Sequence, residues 1–326
     1  MKDNDVRPDS FESFVGQRDT IAVLKRVVVA ARHNDRACGH LLFAGLPGCG
    51  KTSLAQIIAT EMITRLHVTV CPAVEHKGEL IAMLTGLGKN DVLFLDEIHG
   101  LKPAMQELLY VAMEDQVVDM SAGKRMLRIQ LQPFTLVGAT TRAHLLTGPL
   151  RDRFAYTFNL GHYSTSDLAM IASRTADRLG LRTSAQAITE IAIRARGTPR
   201  IANRLVRSCR DFMESAGMQV IDVDVTASTF HALGIDSLGL DAQDRAYLGV
   251  LCEKVGCPVG VLAVAAQLGI ERGVIESIIE PQLLEKGLIS RTQKGRIALP
   301  AAVAHLHANP VVPVLAEGIN GEELSS

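Results

Sequence analysis

His40-Leu41-Leu42-Phe43-Ala44-Gly45-Leu46-Pro47-Gly48-Cys49-Gly50-Lys51-Thr52 joins an apolar run to a glycine-rich loop. From Gly45 to Thr52 the pattern is G-x-x-x-x-G-K-[ST] in full. Beyond it, Leu54, Ile57, Ile58 and Met62 recur at helical spacing. Together these predict a strand over 40–44, a loop, and a helix over 52–62. In that setting the loop glycines let successive N–H groups turn inward around phosphate oxygens, and the helix adds its positive dipole end. Lys51 is placed to reach β- and γ-phosphates, and the Thr52 hydroxyl to bind Mg²⁺. Gly48, Gly50 and Ser53 complete the expected cradle.

Working outward, Leu66–Val70 reads as a second strand and Asp91-Val92-Leu93-Phe94-Leu95 as a third. The third is continuous in apolar residues, as a strand buried on both faces must be. It ends in Asp96-Glu97, an acidic pair at the carboxyl edge where parallel sheets bind ligands. Asp96 is a candidate Mg²⁺ ligand. Glu97 is a candidate for polarising an attacking water. A helix is expected over 105–113, a strand over 134–139 followed by Thr140-Thr141-Arg142, and a strand over 156–160. A hydroxyl at the end of the fourth strand can reach a γ-phosphate or the attacking water. Strands alternating with helices predict an α/β domain, a parallel sheet with helices on both faces. Residues 117–120 and 126–129 read as a β-hairpin inserted into it, with the turn at 121–124.

After Tyr163 the strand signals stop. Residues 164–179, 184–194 and 199–216 read as three helices, with Ser164 and Ser184 as N-caps and Gly180 and Gly217 as stops. Helices over 241–255, 260–269 and 271–286 precede two short strands around Gly295, the outline of a winged helix. The expected domains are residues 1–163, a small helical domain over 164–234, a winged helix over 235–309, and a flexible tail over 310–326. Arg291, Lys294 and Arg296 cluster in the wing, where a basic hairpin tracks phosphates without reading sequence. Seven arginines between Leu181 and Arg210 face a single acid, Glu190. That run fits either a solvated or interface face or a nucleic-acid surface.

Composition bounds the rest. The 326 residues carry 34 Lys+Arg against 35 Asp+Glu, a net charge of −1, so any DNA binding is local. That length suits about two to three domains. The chain is 47% hydrophobic, which excludes wholesale disorder, and aromatics are 4% with no Trp, which leaves little for base stacking. No apolar run approaches the roughly 18 residues of a membrane span. Residues 1–16 lack the apolar core of a signal peptide, so a cytoplasmic location is expected. None of the six cysteines forms a C-x-x-C pair, so zinc is not expected. His305 and His307 read as surface residues.

Longer strings carry a resemblance. Val92-Leu93-Phe94-Leu95-Asp96-Glu97-Ile98-His99, Ala112-Met113-Glu114-Asp115, Pro133 to Arg142, Pro149-Leu150-Arg151-Asp152-Arg153-Phe154 and Arg196 to Arg204 resemble the AAA+ ATPases, and within them the RuvB family of Holliday-junction branch-migration motors. The resemblance implies ATP and Mg²⁺ as ligands, with Lys51 and Thr52 as the Walker A pair and Asp96 and Glu97 as the Walker B pair. It implies Thr141 as sensor 1, Arg153 as an arginine finger acting on a neighbouring subunit's ATP, and Arg200 as sensor 2. Val6, Arg7, Glu114, Asp115 and Tyr163 are implied as nucleotide contacts, and Arg291, Lys294 and Arg296 as DNA contacts. A homohexameric ring around double-stranded DNA, and a RuvA-like junction-binding partner docked on the 117–129 hairpin, follow as expectations. Departures are Gly100 in place of the family's usual Arg, Leu46 and Cys49 in the phosphate loop, and a hairpin shorter than usual, which weakens the partner expectation. The alternative is a nucleotide-gated regulatory ATPase that binds DNA through its winged helix with little translocation. Intact Glu97, Thr141 and Arg153 argue for turnover.

Overall fold

The computed structural model describes residues 7–122 and 125–309, so Val6, the 123–124 turn and the 310–326 tail lie outside the described residues. The chain divides into two compact units, residues 1–225 and 226–326. Among the described residues no helix is long and apolar enough to cross a membrane.

The first unit runs α1 (Arg18–His33), β1 (Leu41–Gly45), α2 (Lys51–Met62), β2 (Leu66–Val70), α3 (Lys77–Thr85), β3 (Val92–Asp96), α4 (Pro103–Asp115), β4 (Val117–Ala122), β5 (Arg125–Gln130), β6 (Thr135–Thr140), α5 (Gly148–Arg151), β7 (Tyr156–Leu160), α6 (Thr165–Arg178), α7 (Ala185–Arg194) and α8 (Pro199–Ser215). Five strands form one sheet in the order β2-β3-β6-β1-β7, every neighbouring pair parallel. Strand alternation divides the apolar side chains between two cores. Leu41, Phe43, Val92, Phe94, Val137 and Ala139 pack with Leu24 and Val28 of α1 and Leu54, Ile57 and Ile58 of α2. Leu42, Leu93, Leu95 and Leu136 face the other way, onto Leu80 and Leu84 of α3 and Met105, Leu109 and Met113 of α4. The doubly covered parallel sheet is thus the one the apolar runs predict.

β4 and β5 form a separate antiparallel hairpin, with Val118 opposite Ile129 and Met120 opposite Leu127. Ser164 Oγ accepts from Asp167 N at 3.1 Å and Ser184 Oγ from Ala187 N at 3.1 Å, so both caps are as expected. α8 buries Ala202, Leu205, Val206, Cys209 and Met213 along one stripe, leaving its arginines on the others.

α9 (Val223–Ala232) runs across the division. The second unit continues with α10 (Ala242–Cys252), α11 (Val261–Leu268), α12 (Arg272–Val274), a π-helical turn (Ile275–Ile279), α13 (Glu280–Glu285), an antiparallel hairpin of β8 (Ile289–Thr292) and β9 (Gly295–Ala298), and α14 (Pro300–Ala308). Tyr247, Leu248, Leu251, Ile275, Ile279, Leu283 and Ile289 form its core. The expected single helix over 271–286 is interrupted because Pro281 cannot donate to, and its ring crowds, the carbonyl four residues back, which opens the turn before it. His305 corrects the surface reading: its side chain is only 9% exposed and Nε2 lies 2.8 Å from Asp236 Oδ2. That pair fastens α14 to the segment before α10, whereas His307 is exposed.

Candidate active site

β1 and β3 deliver the phosphate loop and the acidic pair to one edge of the sheet, and a pocket of about 370 Å³ lies there. Gly48 (φ +84°) and Gly50 (φ +98°) hold the loop in left-handed backbone that side chains resist. At Gly48 a β-carbon would also stand 2.7 Å from Arg200 Cβ, so the glycine admits the first turn of α8 beside the loop. Lys51 is 7% exposed, and its Nζ donates to the carbonyls of Gly45 (2.8 Å) and Leu46 (3.0 Å). Burial draws its pKa down, opposed by Glu97, Cys49 and Asp96.

Asp96 Oδ1 accepts from the Glu97 backbone N–H at 3.1 Å. Glu97 itself sits at φ +50°, a left-handed turn that swings its carboxylate toward β6. There Glu97 Oε2 accepts from Thr141 Oγ1 at 3.1 Å and from Thr141 N at 3.3 Å. His99 Nδ1 lies 3.1 Å from the same oxygen and 2.9 Å from Thr140 Oγ1. Burial lowers the His99 pKa against the pull of Glu97. The ends of β3 and β6 are therefore knit together through one carboxylate oxygen.

Arg7, Gly48, Gly50, Lys51, Thr52, Ser53, Asp96, Glu97, Tyr163 and Arg200 all line this pocket. Tyr163 donates its hydroxyl to Cys49 O at 3.0 Å, fixing the loop from behind, and burial pushes the phenol up so that it stays a donor. Thr52 and Asp96 offer a hydroxyl and a carboxylate, hard oxygen donors of the kind Mg²⁺ takes alongside substrate phosphates. Arg207 of the arginine run lines the same pocket, as do Arg174, Arg178 and Asn203, which the sequence does not single out. Their signal was present as i,i+4 and i,i+3,i+7 spacing on α6 and α8. Arg174 donates to Ser13 O (2.6 Å) and Arg178 to Arg7 O (2.8 Å), pinning the segment before α1 over the pocket. The arginine run of 182–210 is thereby partly used locally: Arg194 pairs with Glu190 and Arg210 with Asp211.

Arg153, Glu114 and Asp115 do not line the pocket. Arg153 Nη2 donates to Tyr110 Oη at 3.1 Å, and its guanidinium carbon lies 4.9 Å over the Tyr110 ring. Its Nε is an ion pair with Glu114 Oε2 at 2.9 Å, outside hydrogen-bond alignment. Gly100 is accounted for by contact: a β-carbon there would meet Pro72 Cγ at 2.9 Å.

In the wing, Lys294 is exposed and the Arg291 side chain is 46% exposed, but that of Arg296 is only 14% exposed. Arg296 Nε donates to Glu280 Oε1 at 2.7 Å and its Nη2 to Glu276 Oε1 at 2.9 Å.

Comparison with known proteins places this geometry. Residues 6–160 match the family described as "Holliday junction DNA helicase RuvB P-loop domain", 163–236 "RuvB AAA lid domain", and 237–307 "RuvB C-terminal winged helix domain". The "Holliday junction branch migration complex subunit RuvB" of Paramagnetospirillum magneticum is 44% identical over 317 residues, 96% of this chain and 91% of that one. Its Helicobacter pylori counterpart is 43% identical over 314 residues, 95% and 92% of the two chains. Among solved structures, the Thermotoga maritima RuvB Holliday junction branch migration motor superposes with a TM-score of 0.85 at 42% identity, covering 93% of this chain and 98% of that one. With the phosphate loop, the Asp96-Glu97 pair and the parallel sheet in place, the chain belongs to the RuvB family of AAA+ P-loop ATPases.

Proposed function

We propose that the protein is an ATP-driven translocase of double-stranded DNA that moves the branch point of Holliday junctions in recombination and repair. The observation that carries this is one pocket holding Lys51, Thr52, Asp96, Glu97 and Arg200 in a chain with a basic wing hairpin. Lys51 binds the β- and γ-phosphates and exchanges its bonds to Gly45 and Leu46 for phosphate oxygens. Glu97 orients and polarises the water that attacks the γ-phosphorus, and Thr141 holds that carboxylate in register. Thr52 and Asp96 would hold Mg²⁺, which would supply neutralisation of phosphate charge. Arg200 carries nucleotide state to the helical domain over 164–234, while Arg7, Tyr163 and, outside the described residues, Val6 contact the base region.

Arg153 serves the neighbouring subunit. Its exclusion from its own pocket, beside Glu114 and Asp115, supports a finger used in trans, and a trans finger requires an oligomer, here a homohexamer. An added cation at the γ-phosphate stabilises the charge that grows during transfer. In the winged helix over 235–309, Arg291, Lys294 and Arg296 face DNA phosphates. The β4–β5 hairpin, with Met126 and Leu127 exposed at 69% and 45%, is the docking element for a RuvA-like partner, and the setting is the cytoplasm. Electron microscopy with a non-hydrolysable ATP analogue and a synthetic four-way junction tests the assembly. Six-membered rings on the junction arms are expected; monomers or open filaments count against it.

A further inference from the structure

Residues 7–16 form no helix or strand, and their place has to be held by side chains. Phe11, 5% exposed, anchors the segment in the core shared by α1 and α2. The turn around it closes on itself: Ser13 Oγ donates to Asp9 Oδ1 at 3.0 Å and accepts from Ser10 N at 3.1 Å. Phe14 lies against the phosphate loop, where a β-carbon on Gly50 would stand 2.9 Å from its ring. Gly16 lies as close to Tyr163, with 2.7 Å between that ring and a β-carbon. Arg7, Ser13 and Phe14 thereby form part of the pocket wall.

The outer side of the segment is held by α6. Arg174 and Arg178 stand one helical turn apart, so both reach the same neighbour. Arg174 Nη1 donates to Ser13 O at 2.6 Å, and Arg178 Nη1 donates to Arg7 O at 2.8 Å. A guanidinium on a carbonyl is a charge-assisted bond, stronger than a neutral pair. α6 is tied in turn to α8: Thr175 Oγ1, 1% exposed as a residue, donates to Asn203 Oδ1 at 2.8 Å. Asn203 is three residues from Arg200, whose Cβ packs against Gly48. The helix pair that sets Arg200 beside the phosphate loop therefore also grips the 7–15 segment.

We infer that Arg174 and Arg178 are positioning residues for the nucleotide: by gripping the Ser13 and Arg7 carbonyls they keep the 7–15 segment closed on the pocket and set how fast a bound nucleotide leaves. This rests on the nucleotide reading of the pocket above and adds α6 to it. In that reading Arg7 belongs to the base region, which ATP and ADP share. A grip exerted through the segment acts alike on both nucleotides, whereas a direct contact with phosphate favours the one with more charge.

The test is release of ribose-labelled fluorescent ADP from the full-length protein, chased with unlabelled ADP, beside equilibrium titrations with ADP and a non-hydrolysable ATP analogue. Both arginines are exposed, so their replacement leaves the core intact. Arg174→Ala and Arg178→Ala are each expected to speed ADP release about fivefold, and the double variant more. Affinities for ADP and for the ATP analogue are expected to fall together. Arg178→Lys, which still offers a charged donor to one carbonyl, is expected to release ADP within about twofold of the parent rate. Amide hydrogen exchange over residues 9–16 is expected to rise in the alanine variants while β1 and α8 exchange as in the parent. Parent-like release by the double variant, a clearly larger loss for the ATP analogue than for ADP, or unchanged exchange over 9–16 overturns the proposal and leaves the pocket as a nucleotide site. ADP binding by Lys51→Ala equal to the parent's overturns the pocket reading itself.

Discussion

Thr141 and Glu97 share a contact that joins two strand ends: the Thr141 hydroxyl donates to Glu97 Oε2 at 3.1 Å, and its backbone N–H reaches the same oxygen at 3.3 Å. The carboxylate is therefore held, not free to rotate, beside the pocket. Glu97→Gln keeps the shape and removes the carboxylate proposed to polarise water. Turnover is expected to fall about 10²–10⁴-fold while nucleotide still binds. Thr141→Val removes one hydrogen bond to that carboxylate and is expected to lower turnover about two- to tenfold. Single-turnover hydrolysis beside a fluorescent-nucleotide titration separates the two effects. Near-parental turnover by Glu97→Gln removes the role assigned to Glu97.

Arg153 is held at Tyr110 and Glu114, away from its own pocket. Arg153→Ala is expected to bind ATP and hydrolyse it poorly, and Lys51→Ala to bind it poorly. Mixed in one ring, the two inactive proteins are expected to regain measurable hydrolysis, since some interfaces then pair an intact pocket with an intact finger. No recovery in rings shown to contain both variants contradicts a finger used in trans.

What the sequence made legible follows from local chemistry. The phosphate loop, the acids ending β3 and the caps at Ser164 and Ser184 are each specified within a few residues, and each stands where expected. Elements without such signals are not legible in the sequence. α1 starts after Gln17 with no side-chain cap, α3 is nine residues long, and α14 is too uniformly apolar for a clear period. Long-range pairings were also beyond reach. Nothing near Arg296 announces that its partners are Glu276 and Glu280, and nothing near His305 announces Asp236, 69 residues earlier. The arginines of α8 are visible in the sequence as a charged run, but only the fold turns Arg207, and with it Arg174 and Arg178 of α6, onto the pocket.

Gly100 stands where Pro72 occupies the space that a side chain would need. Gly100→Ala places a β-carbon 2.9 Å from Pro72 Cγ, in a ring that cannot rotate away. Overpacking of this kind costs about 1–3 kcal/mol. Urea unfolding is expected to show that loss, and Pro72→Ala in the same chain to recover much of it. Unchanged stability in the single variant shows that the turn yields freely.

The buried thiols give a pH signature. Burial pushes Cys38 up to about 11, and burial followed by Asp96 and Glu97 pushes Cys71 up to about 12, from an ordinary 9.0. A thiol that holds its proton more tightly when folded stabilises fully below about pH 9 and loses that contribution as pH rises through 11 to 12. Denaturant midpoints are therefore expected to fall above about pH 9. At pH 8 a thiol reagent is expected to label exposed Cys257 first, half-buried Cys252 next, and Cys38, Cys49, Cys71 and Cys209 only in denaturant. Fast labelling of Cys38 or Cys71 in the native protein contradicts their burial.

The central claim is that hydrolysis at the Lys51–Glu97 pocket moves a DNA branch point. The direct measurement is release of fluorescent duplex arms from a synthetic four-way junction with homologous arms, followed in real time at saturating protein. With ATP the parent is expected to convert junction to duplex products, and Glu97→Gln to bind the same junction and release none. Junction-stimulated hydrolysis with no product, or equal product from Glu97→Gln, contradicts the account.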